Sequence, residues 1–409
     1  MRRVYFDNNA TTPMLPEVMD AMRPYFGEHF GNASSIHHRG QQTRAAVERA
    51  RESVAALLGC RPVEIVFTSG GTEADNLAIF GVARAGDHVI TSAIEHHAVL
   101  NACRHLEECG CEVTYIPVDG RGMVDPADVK LGLRPSTKLI SIMTANNETG
   151  IVQPLTEIGR IAAEAGVYFH TDAVQAAGKI SLRVDEIGCD LLTISAHKLH
   201  GPQGVGALYV RKGTALEAQL YGGRHERSRR AGTENVPGIV GLGRAAEIAR
   251  AGVERGENQR IAELRDRLEA ELLKIEASAV NGADSQTSQS ARCAGHPPDH
   301  GCPQRVPNTT NICFDGIDGE ALVIALDLKG LAVSTGAACS SGAIEPSHVL
   351  LAMGLTTDQA RASIRFSLGK QNTAEDVEFA VGLVGETVAR LRALSPIWQA
   401  GSLEPRAAG

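Results

Sequence analysis

The chain has 409 residues, 43% of them hydrophobic, and a formal net charge of −8. Its length exceeds what one hydrophobic core usually supports, so two domains are expected. The acidic balance argues against nucleic acid or an anionic membrane surface as the main partner. No segment has the roughly 18 consecutive apolar residues of a transmembrane helix, and the N-terminal segment has no apolar signal-peptide core. Nine scattered cysteines do not suggest a disulfide framework, and a cytoplasmic protein is expected.

Helical and strand-like patterns alternate through the first half of the chain. Apolar residues recur at helical spacing over residues 41–58, and Gly59 is suited to end this helix. Short apolar runs then predict buried strands at 65–68, 88–91, 113–117, 139–144, 167–170, 191–194 and 207–210. Because helical segments separate most of these runs, the sequence predicts an α/β fold with a mostly parallel sheet covered by helices on both faces.

Three places in this region carry residue types suited to pyridoxal phosphate (PLP). The turn formed by residues 69–72 lies between a strand and a helix, where backbone N–H groups can bind a phosphate. Asp172 follows a predicted strand and is suited to holding a proton on the pyridine nitrogen. Lys198 follows another strand in a loop of small and polar residues, and a lysine amine can form a Schiff base with PLP. Each feature alone is weak evidence, but their combination indicates a PLP enzyme.

The sequence pattern changes after Pro237. A long charged amphipathic helix follows, marked by Ile261, Leu264, Leu268 and Leu272. It could lead into a second, smaller α+β domain that ends in a helix around residues 377–394. The large domain is expected to comprise residues 16–247, and the small domain residues 1–15 together with 248–409.

Residues 281–308 form a polar stretch rich in Ser, Gln, Pro and Cys, and this stretch is too long for an ordinary turn. It is interpreted as an insertion loop. Its spacing of Cys and His residues is compatible with zinc, although a surface loop with incidental ligands is the favoured interpretation. The residues concerned are Cys293, His296, His300 and Cys302.

Cys339 differs from the other cysteines because it stands among small residues without apolar periodicity. A flexible loop would let a thiol approach a substrate and withdraw, as a carrier of a transferred group must. A cysteine nucleophile acts as the thiolate and needs access. This stretch alone would leave an inert loop cysteine equally acceptable.

Long motifs lie along nearly the whole chain. They are YFDNNATTP, FGNASSIHHRG, FTSGGTEADN, ITSAIEHHAVL, MTANNETGIVQP, HTDAVQAAGK, SAHKLHGPQGVGALYV, GGRHERSRRAGTEN, the Cys339 segment, SHVLLAMG and SIRFSLG. Together they resemble the cysteine desulfurases of the NifS/IscS-like family, PLP enzymes of fold type I in the class-V aminotransferase group. The resemblance implies a large domain with a mostly parallel seven-stranded sheet and a smaller α+β domain. Only the stretch 281–308 departs from it, being longer than the family leads one to expect.

The resemblance also implies roles for individual residues around the cofactor. Lys198 would form the Schiff base with PLP and later move a proton, while Asp172 would pair with the pyridinium nitrogen. Gln175 would hydrogen-bond the phenolic oxygen, and Asn147 would help to position the same edge. His96 would stack on the ring and assist proton transfer.

Further residues are implied at the phosphate and at the substrate. The phosphate would be held by Gly71, Thr72, Ser195 and His197, with Thr233 reaching it from the other subunit of a homodimer. Arg365 would clamp the substrate carboxylate, with Asn147 nearby.

The activity implied is removal of sulfur from L-cysteine, which yields L-alanine and a persulfide on Cys339. The expected partner is an iron–sulfur cluster scaffold, on which Cys339 would contact the cluster, or another sulfur acceptor. No metal site of the chain itself is expected. Two alternatives are a selenocysteine lyase or another class-V PLP aminotransferase or lyase, and, more remotely, a metal-handling scaffold without catalysis. The scaffold alternative leaves Lys198, Asp172 and the phosphate turn unexplained.

Overall fold

Seven strands form the larger sheet in the computed structural model of the chain, which describes residues 2–283, 304–336, 345–395 and 398. In chain order they are β2 Ile65–Thr68, β3 His88–Ser92, β4 Glu112–Ile116, β5 Thr137–Ser141, β6 Tyr168–Asp172, β7 Leu191–Ser195 and β8 Gly206–Val210. Their order across the sheet is β2-β8-β7-β6-β5-β3-β4. Strand β8 is antiparallel to β2 and β7, and the other neighbours pair in parallel. The predicted fold class is confirmed.

Helices cover both faces of this sheet, which is why its central strands are largely buried. Every residue of β2, β3, β7 and β8 is buried. The covering helices are α1 Pro16–Met22, α2 His38–Leu58, α3 Gly71–Phe80, α4 His97–Glu108, α5 Pro126–Leu131, α6 Leu155–Ala165, α7 Val184–Ile187 and α8 Val236–Glu254.

The predicted helix over residues 41–58 begins earlier, at His38, because the His37 side chain caps its first turn. The His37 ring accepts a hydrogen bond from the Gly40 N–H at 3.2 Å. The helix ends where Gly59 takes a left-handed conformation, with φ of 70°.

A second group of elements contains a smaller antiparallel sheet and follows helix α9 Asn258–Leu272. Its strands β9 Ser278–Val280, β10 Thr309–Phe314 and β12 Ser363–Ser367 pair in the order β12-β10-β9. Strand β1 Val4–Tyr5 pairs in parallel with β11 Leu331–Ala332. The remaining helices are α10 Gly319–Asp327, α11 His348–Ala352, α12 Thr357–Arg361 and α13 Ala374–Leu394.

The hydrophobic core of this second group draws on both ends of the chain. Val4 and Phe6 pack with residues of α9, β10, β12 and α13. The expected domain boundary at residues 247 and 248 stays a prediction. Within the described ranges, no helix is both long and apolar enough to cross a membrane.

Strands β2, β3, β5, β6 and β7 all end at the same edge of the larger sheet, because they run in one direction. The loops that follow them therefore converge. Strand β12 reaches this edge through the N-terminal segment, since Asp7 forms an isolated parallel bridge with Ser367.

Candidate active site

Lys198 lies just beyond β7, at the end of a single 3₁₀ turn over Ala196–Lys198. Its amine donates hydrogen bonds to the main-chain carbonyl oxygens of Asn9 and Ala10, the second at 2.7 Å. The N-terminal segment therefore fixes the position of this amine at the edge of the sheet.

Asp172 is the last residue of β6, and its side chain is buried. Its carboxylate accepts a hydrogen bond from the Val174 N–H at 2.8 Å. Burial raises the pKa of Asp172 to about 6, although the Val174 hydrogen bond and the charge of Lys198 oppose that rise. An electropositive group beside this carboxylate would restore its charge.

Two more carboxyl groups are buried behind Asp172. Burial raises the pKa of Glu95 to about 8, and burial with repulsion from Asp172 raises the pKa of Asp75 well above its usual range. One oxygen of each side chain has no hydrogen-bond partner within the described residues. His170 lies 3.6 Å from Asp75, and burial lowers the pKa of this imidazole to about 3. The three carboxyls cannot all ionise together at low cost.

The predicted phosphate turn packs directly against the ends of β6 and β7. A Cβ atom on Gly71 would lie 3.0 Å from Val174 Cγ2 and 3.7 Å from the Ser195 Cβ atom. Helix α3 begins at Gly71, so its first backbone N–H groups point toward the space beside the ends of β6 and β7. Thr72 is exposed, and Ser195 is buried beside the turn.

His197 and Thr233, two other residues expected at the phosphate, have different surroundings. The His197 ring lies 3.1 Å from the Thr11 hydroxyl, and burial followed by the charge of Lys198 lowers its pKa to about 4. The imidazole is therefore neutral at pH 7. Thr233 is exposed and makes no hydrogen bond to any described residue, so its contact with a second subunit stays a prediction.

His96 caps the N-terminus of α4. Its Nδ1 atom accepts a hydrogen bond from the Ala98 N–H at 3.1 Å. Burial, and then the charge of Lys198, lower the pKa of His96 to about 4. The ring is thus neutral, and its proton is assigned to Nε2 because Nδ1 is the acceptor.

Arg365 stands in the middle of β12 with its guanidinium buried. Nη1 donates to the Asn147 carbonyl oxygen at 3.0 Å, and Nη2 pairs with the Asp7 carboxylate at 2.7 Å. Nε is buried and has no partner among the described residues. A substrate carboxylate would therefore meet a guanidinium that is already oriented and whose Nε–H has no partner among the described residues.

Asn9 joins these residues into one network, and no role was predicted for it. Its N–H donates to the Ser367 hydroxyl at 2.9 Å, and its carbonyl oxygen accepts from Lys198 and from Gln175, the latter at 2.9 Å. Its side-chain amide donates to the Asn147 carbonyl oxygen at 3.1 Å. The motif YFDNNATTP contained this residue but gave no indication of the distant residues that it joins.

Glu148 is a second residue that sequence reasoning missed. The Ser347 hydroxyl donates to this buried carboxylate at 2.6 Å, and a Cβ atom on Gly336 would lie 2.7 Å from it. Gly336 and Ser347 flank residues 337–344, which include Cys339 and lie outside the described residues. The Cys293, His296, His300 and Cys302 set also lies outside them.

The residues at this edge fit PLP by the chemistry of their donors. A buried carboxylate and a lysine amine stand at neighbouring strand ends, and a helix N-terminus opens beside them with a glycine at closest approach. Gln175 keeps one amide N–H without a partner among the described residues, and Arg365 Nε is unpaired. A phosphate, a pyridine nitrogen, a phenolic oxygen and a substrate carboxylate would each find a matching group.

Known proteins with similar sequences and structures match nearly the whole length of this chain. The family described as Aminotransferase class-V matches residues 4–379. A cysteine desulfurase IscS from Dictyoglomus turgidum is 49% identical over 403 residues, which cover 97% of this chain and 98% of that protein. A solved NifS-like protein superimposes with a TM-score of 0.85 at 37% identity, over 95% of this chain and 100% of that one. SspA in complex with cysteine has a TM-score of 0.75 at 34% identity, over 91% and 100%.

Proposed function

Because the chain belongs to the aminotransferase class-V family and, within it, to the NifS/IscS-like cysteine desulfurases, we propose that it is a PLP-dependent cysteine desulfurase. The substrate is L-cysteine, and the products are L-alanine and a persulfide on the enzyme. The observation that carries the proposal is the placement of Lys198 and Asp172 at neighbouring strand ends, with Arg365 held in the same hydrogen-bond network. L-cysteine is supported further by the structural similarity to SspA in complex with cysteine.

When bound, PLP withdraws electrons from the substrate Cα atom and so makes the C–S bond labile. Asp172 would hold the proton on the ring nitrogen. Its raised pKa in the protein without cofactor is consistent with a carboxylate whose positively charged partner, the protonated ring nitrogen, is supplied by PLP. Lys198 would provide the covalent attachment and, once released, take the proton from Cα. Gln175 and Asn147 would bind the phenolic edge.

The phosphate and the substrate would use separate groups. Residues proposed for the phosphate are Gly71, Thr72, Ser195, His197 and, from a second subunit, Thr233. Arg365 would bind the substrate carboxylate through charge-assisted hydrogen bonds. Neutral His96 would lie on the ring and move protons through Nε2.

Cys339 would accept the sulfur. Its thiolate attacks the sulfur of the substrate, an S–S bond forms, and the C–S bond breaks. The electron pair of the broken bond stays with the carbon skeleton, which takes up protons to become L-alanine. Cysteine and one enzyme thiol are thus converted into alanine and one enzyme persulfide, without any external oxidant. This role rests on the sequence resemblance.

The wider setting of the enzyme belongs to the same proposal. It is a cytoplasmic homodimer, with residues 16–247 as the PLP-binding domain and residues 1–15 and 248–409 as the smaller domain. An iron–sulfur cluster scaffold, or another sulfur acceptor protein, would receive the persulfide sulfur. Family membership supports these statements.

The test is Cys339→Ser, with Cys109→Ser as the matched control because Cys109 is an exposed free thiol beyond α4. L-cysteine added to Cys339→Ser should change the cofactor spectrum but give no alanine and no persulfide. Cys109→Ser should form both products like the wild type. Undiminished alanine from Cys339→Ser would contradict the role of this thiol. Selenide release from selenocysteine in excess of sulfide from cysteine would contradict the proposed substrate.

A further inference from the structure

A second lysine, Lys179, is embedded in the same hydrogen-bond network as Lys198. Its amine donates to Gln175 Oε1 at 2.8 Å and to Asn9 Oδ1 at 3.0 Å. Asn9 and Gln175 are also joined directly, because Gln175 Nε2 donates to the Asn9 carbonyl oxygen at 2.9 Å. The Lys198 amine donates to that same carbonyl oxygen. Lys179 therefore contacts Gln175, which is proposed to bind the phenolic edge of the cofactor, and Asn9, which contacts both Gln175 and Lys198.

The contacts with Lys179 and with the Asn9 carbonyl oxygen together determine which way the Gln175 amide faces. Both acceptors of the Lys179 amine are oxygens, so the amide oxygen of Gln175 must point toward the lysine and its NH₂ group away from it. One N–H of that group goes to Asn9, and the other has no partner among the described residues. Only this orientation presents a donor rather than an acceptor to a phenolic oxygen. A reversed amide would place the Gln175 amide oxygen against the Asn9 carbonyl oxygen.

Among the residues that the structure describes, no ion pair explains the position of Lys179. Within the described ranges it forms no salt bridge, and the charged groups acting on it are the cations of Lys198 and Arg365. Burial, and then these two cations, hold its pKa well below the usual range. Holding a lysine amine near two cations, with no described carboxylate to pair with it, costs folding free energy. Stabilisation of the fold is therefore a poor explanation for the position of Lys179.

We propose that Lys179 is a positioning residue for the cofactor: it holds the Gln175 amide so that an N–H, and not the oxygen, faces the phenolic oxygen of PLP. This inference rests on the proposed function. Lys179 does not touch the reacting atoms itself, because its effect passes through Gln175. It also restrains the Asn9 side chain, on which Asn308 Nδ2 converges at 3.0 Å.

The experiment follows the absorption of the bound cofactor against pH. A donor to the phenolic oxygen stabilises its ionised form, so losing that donor should raise the pH midpoint of the spectral change. Lys179→Met should raise it by roughly half to one pH unit, the equivalent of one hydrogen bond. Gln175→Met should raise it in the same direction. The double variant should match Gln175→Met alone, because the effect of Lys179 on the phenolic oxygen passes through Gln175.

Lys212→Met is the matched control, since Lys212 is exposed on the strand-end loop after β8, and it should leave the midpoint unchanged. An unchanged midpoint in Lys179→Met would overturn the inference. Fully additive shifts in the double variant would also overturn it, because they would indicate a direct effect of the lysine charge. If Lys179→Met does not fold, Lys179→Gln replaces it: a smaller rise of the same sign is expected, and no rise overturns the inference. A wild-type protein without a cofactor absorption band would overturn the proposed function and this inference together.

Discussion

Two buried carboxylates in different parts of the molecule, Glu269 and Asp172, have pKa values shifted in opposite directions. Glu269 on α9 is buried, and burial alone would raise its pKa, but Arg305 and the Thr310 hydroxyl outweigh that effect and hold the pKa below its usual range. Arg305 reaches both Glu269 oxygens, at 2.7 and 3.2 Å, and Thr310 donates at 2.6 Å. Asp172 has one backbone hydrogen bond and a raised pKa.

The difference separates structural charge from functional charge. A buried charge that only holds the fold together is stable when it is fully paired, as Glu269 is. A buried charge left with few partners is costly, and such groups concentrate where a ligand supplies the missing partner. Asp172, with one hydrogen bond and a raised pKa, meets this description at the edge of the larger sheet, and the pKa values of its neighbours Asp75 and Glu95 are raised as well. Glu269 lies behind the smaller sheet.

Among the changes at the candidate active site, we expect Lys198→Ala to have the largest effect. The variant can still hold PLP through the phosphate turn, but it lacks both the covalent attachment and the proton acceptor. We expect turnover of L-cysteine to fall by at least about 1,000-fold, since nucleophile and base are lost together. Alanine release measured with PLP-saturated protein checks this.

Borohydride reduction of the wild type provides the control for that prediction. Reduction should fix the cofactor to one peptide, and mapping should identify it as the peptide of Lys198. Lys179 is the informative competitor because it contacts the same network. Label on Lys179, or on exposed Lys212, would reassign the catalytic lysine.

A smaller effect is expected for Asp172→Asn, which keeps the shape of the side chain and removes its charge. The ring nitrogen of the cofactor would lose its anionic partner, and we expect a fall in kcat on the order of 100-fold. The rate of cofactor spectral change after mixing with L-cysteine reports the step affected. A wild-type rate would exclude the role of Asp172 as the partner of the ring nitrogen.

The same variant should make the cofactor-free protein more stable at neutral pH. The folded pKa of Asp172, about 6, lies above its unfolded value, so the folded protein binds more protons between the two and loses stability as pH rises through that window. Asp172→Asn removes this loss, with a gain on the order of 3 kcal/mol at pH 7 that vanishes below about pH 4. Urea unfolding at pH 4 and pH 7 measures it, and equal effects at both pH values would contradict the assignment.

Much of the fold could be predicted because its signals are local. Each predicted strand of the larger sheet overlaps an observed one, since a strand covered on both faces contains a short run of mostly apolar residues that is visible in the sequence. The errors concern the ends. The strand predicted over 139–144 is observed as β5 Thr137–Ser141, because the apolar residues after Ser141 belong to the buried loop that leads into the site.

The site could be predicted only where chemistry and local pattern coincide. Lys198 and Asp172 follow strands, and a strand end is visible in the sequence. Asn9, Lys179 and Glu148 were missed because their partners are distant: 170 positions separate Asn9 from Lys179, and 199 separate Glu148 from Ser347. Such pairs depend on the packing of the whole chain, which no local pattern specifies.

Glu269→Gln tests whether the charge of Glu269 serves only the stability of the fold. We expect no change in the cofactor spectrum or in the rate of alanine formation. The amide cannot neutralise Arg305, whose buried guanidinium then keeps only the more distant Asp266, at 3.9 Å, as an anionic neighbour, so the variant should lose up to about 3–5 kcal/mol of unfolding free energy. Glu378→Gln is the matched control, because Glu378 and its partner Arg267 are 63% and 48% exposed, and such a pair contributes at most about 1 kcal/mol.

The pH dependence of this loss should run opposite to that of Asp172. The folded pKa of Glu269 lies below its unfolded value, so its contribution is present above the unfolded pKa of about 4.3 and is lost as pH falls through the folded pKa. The gap between wild type and Glu269→Gln should therefore be widest at neutral pH and narrow on acidification. A variant no less stable than Glu378→Gln would show that the pairing around Glu269 contributes nothing beyond an exposed salt bridge, and the contrast with Asp172 would fail.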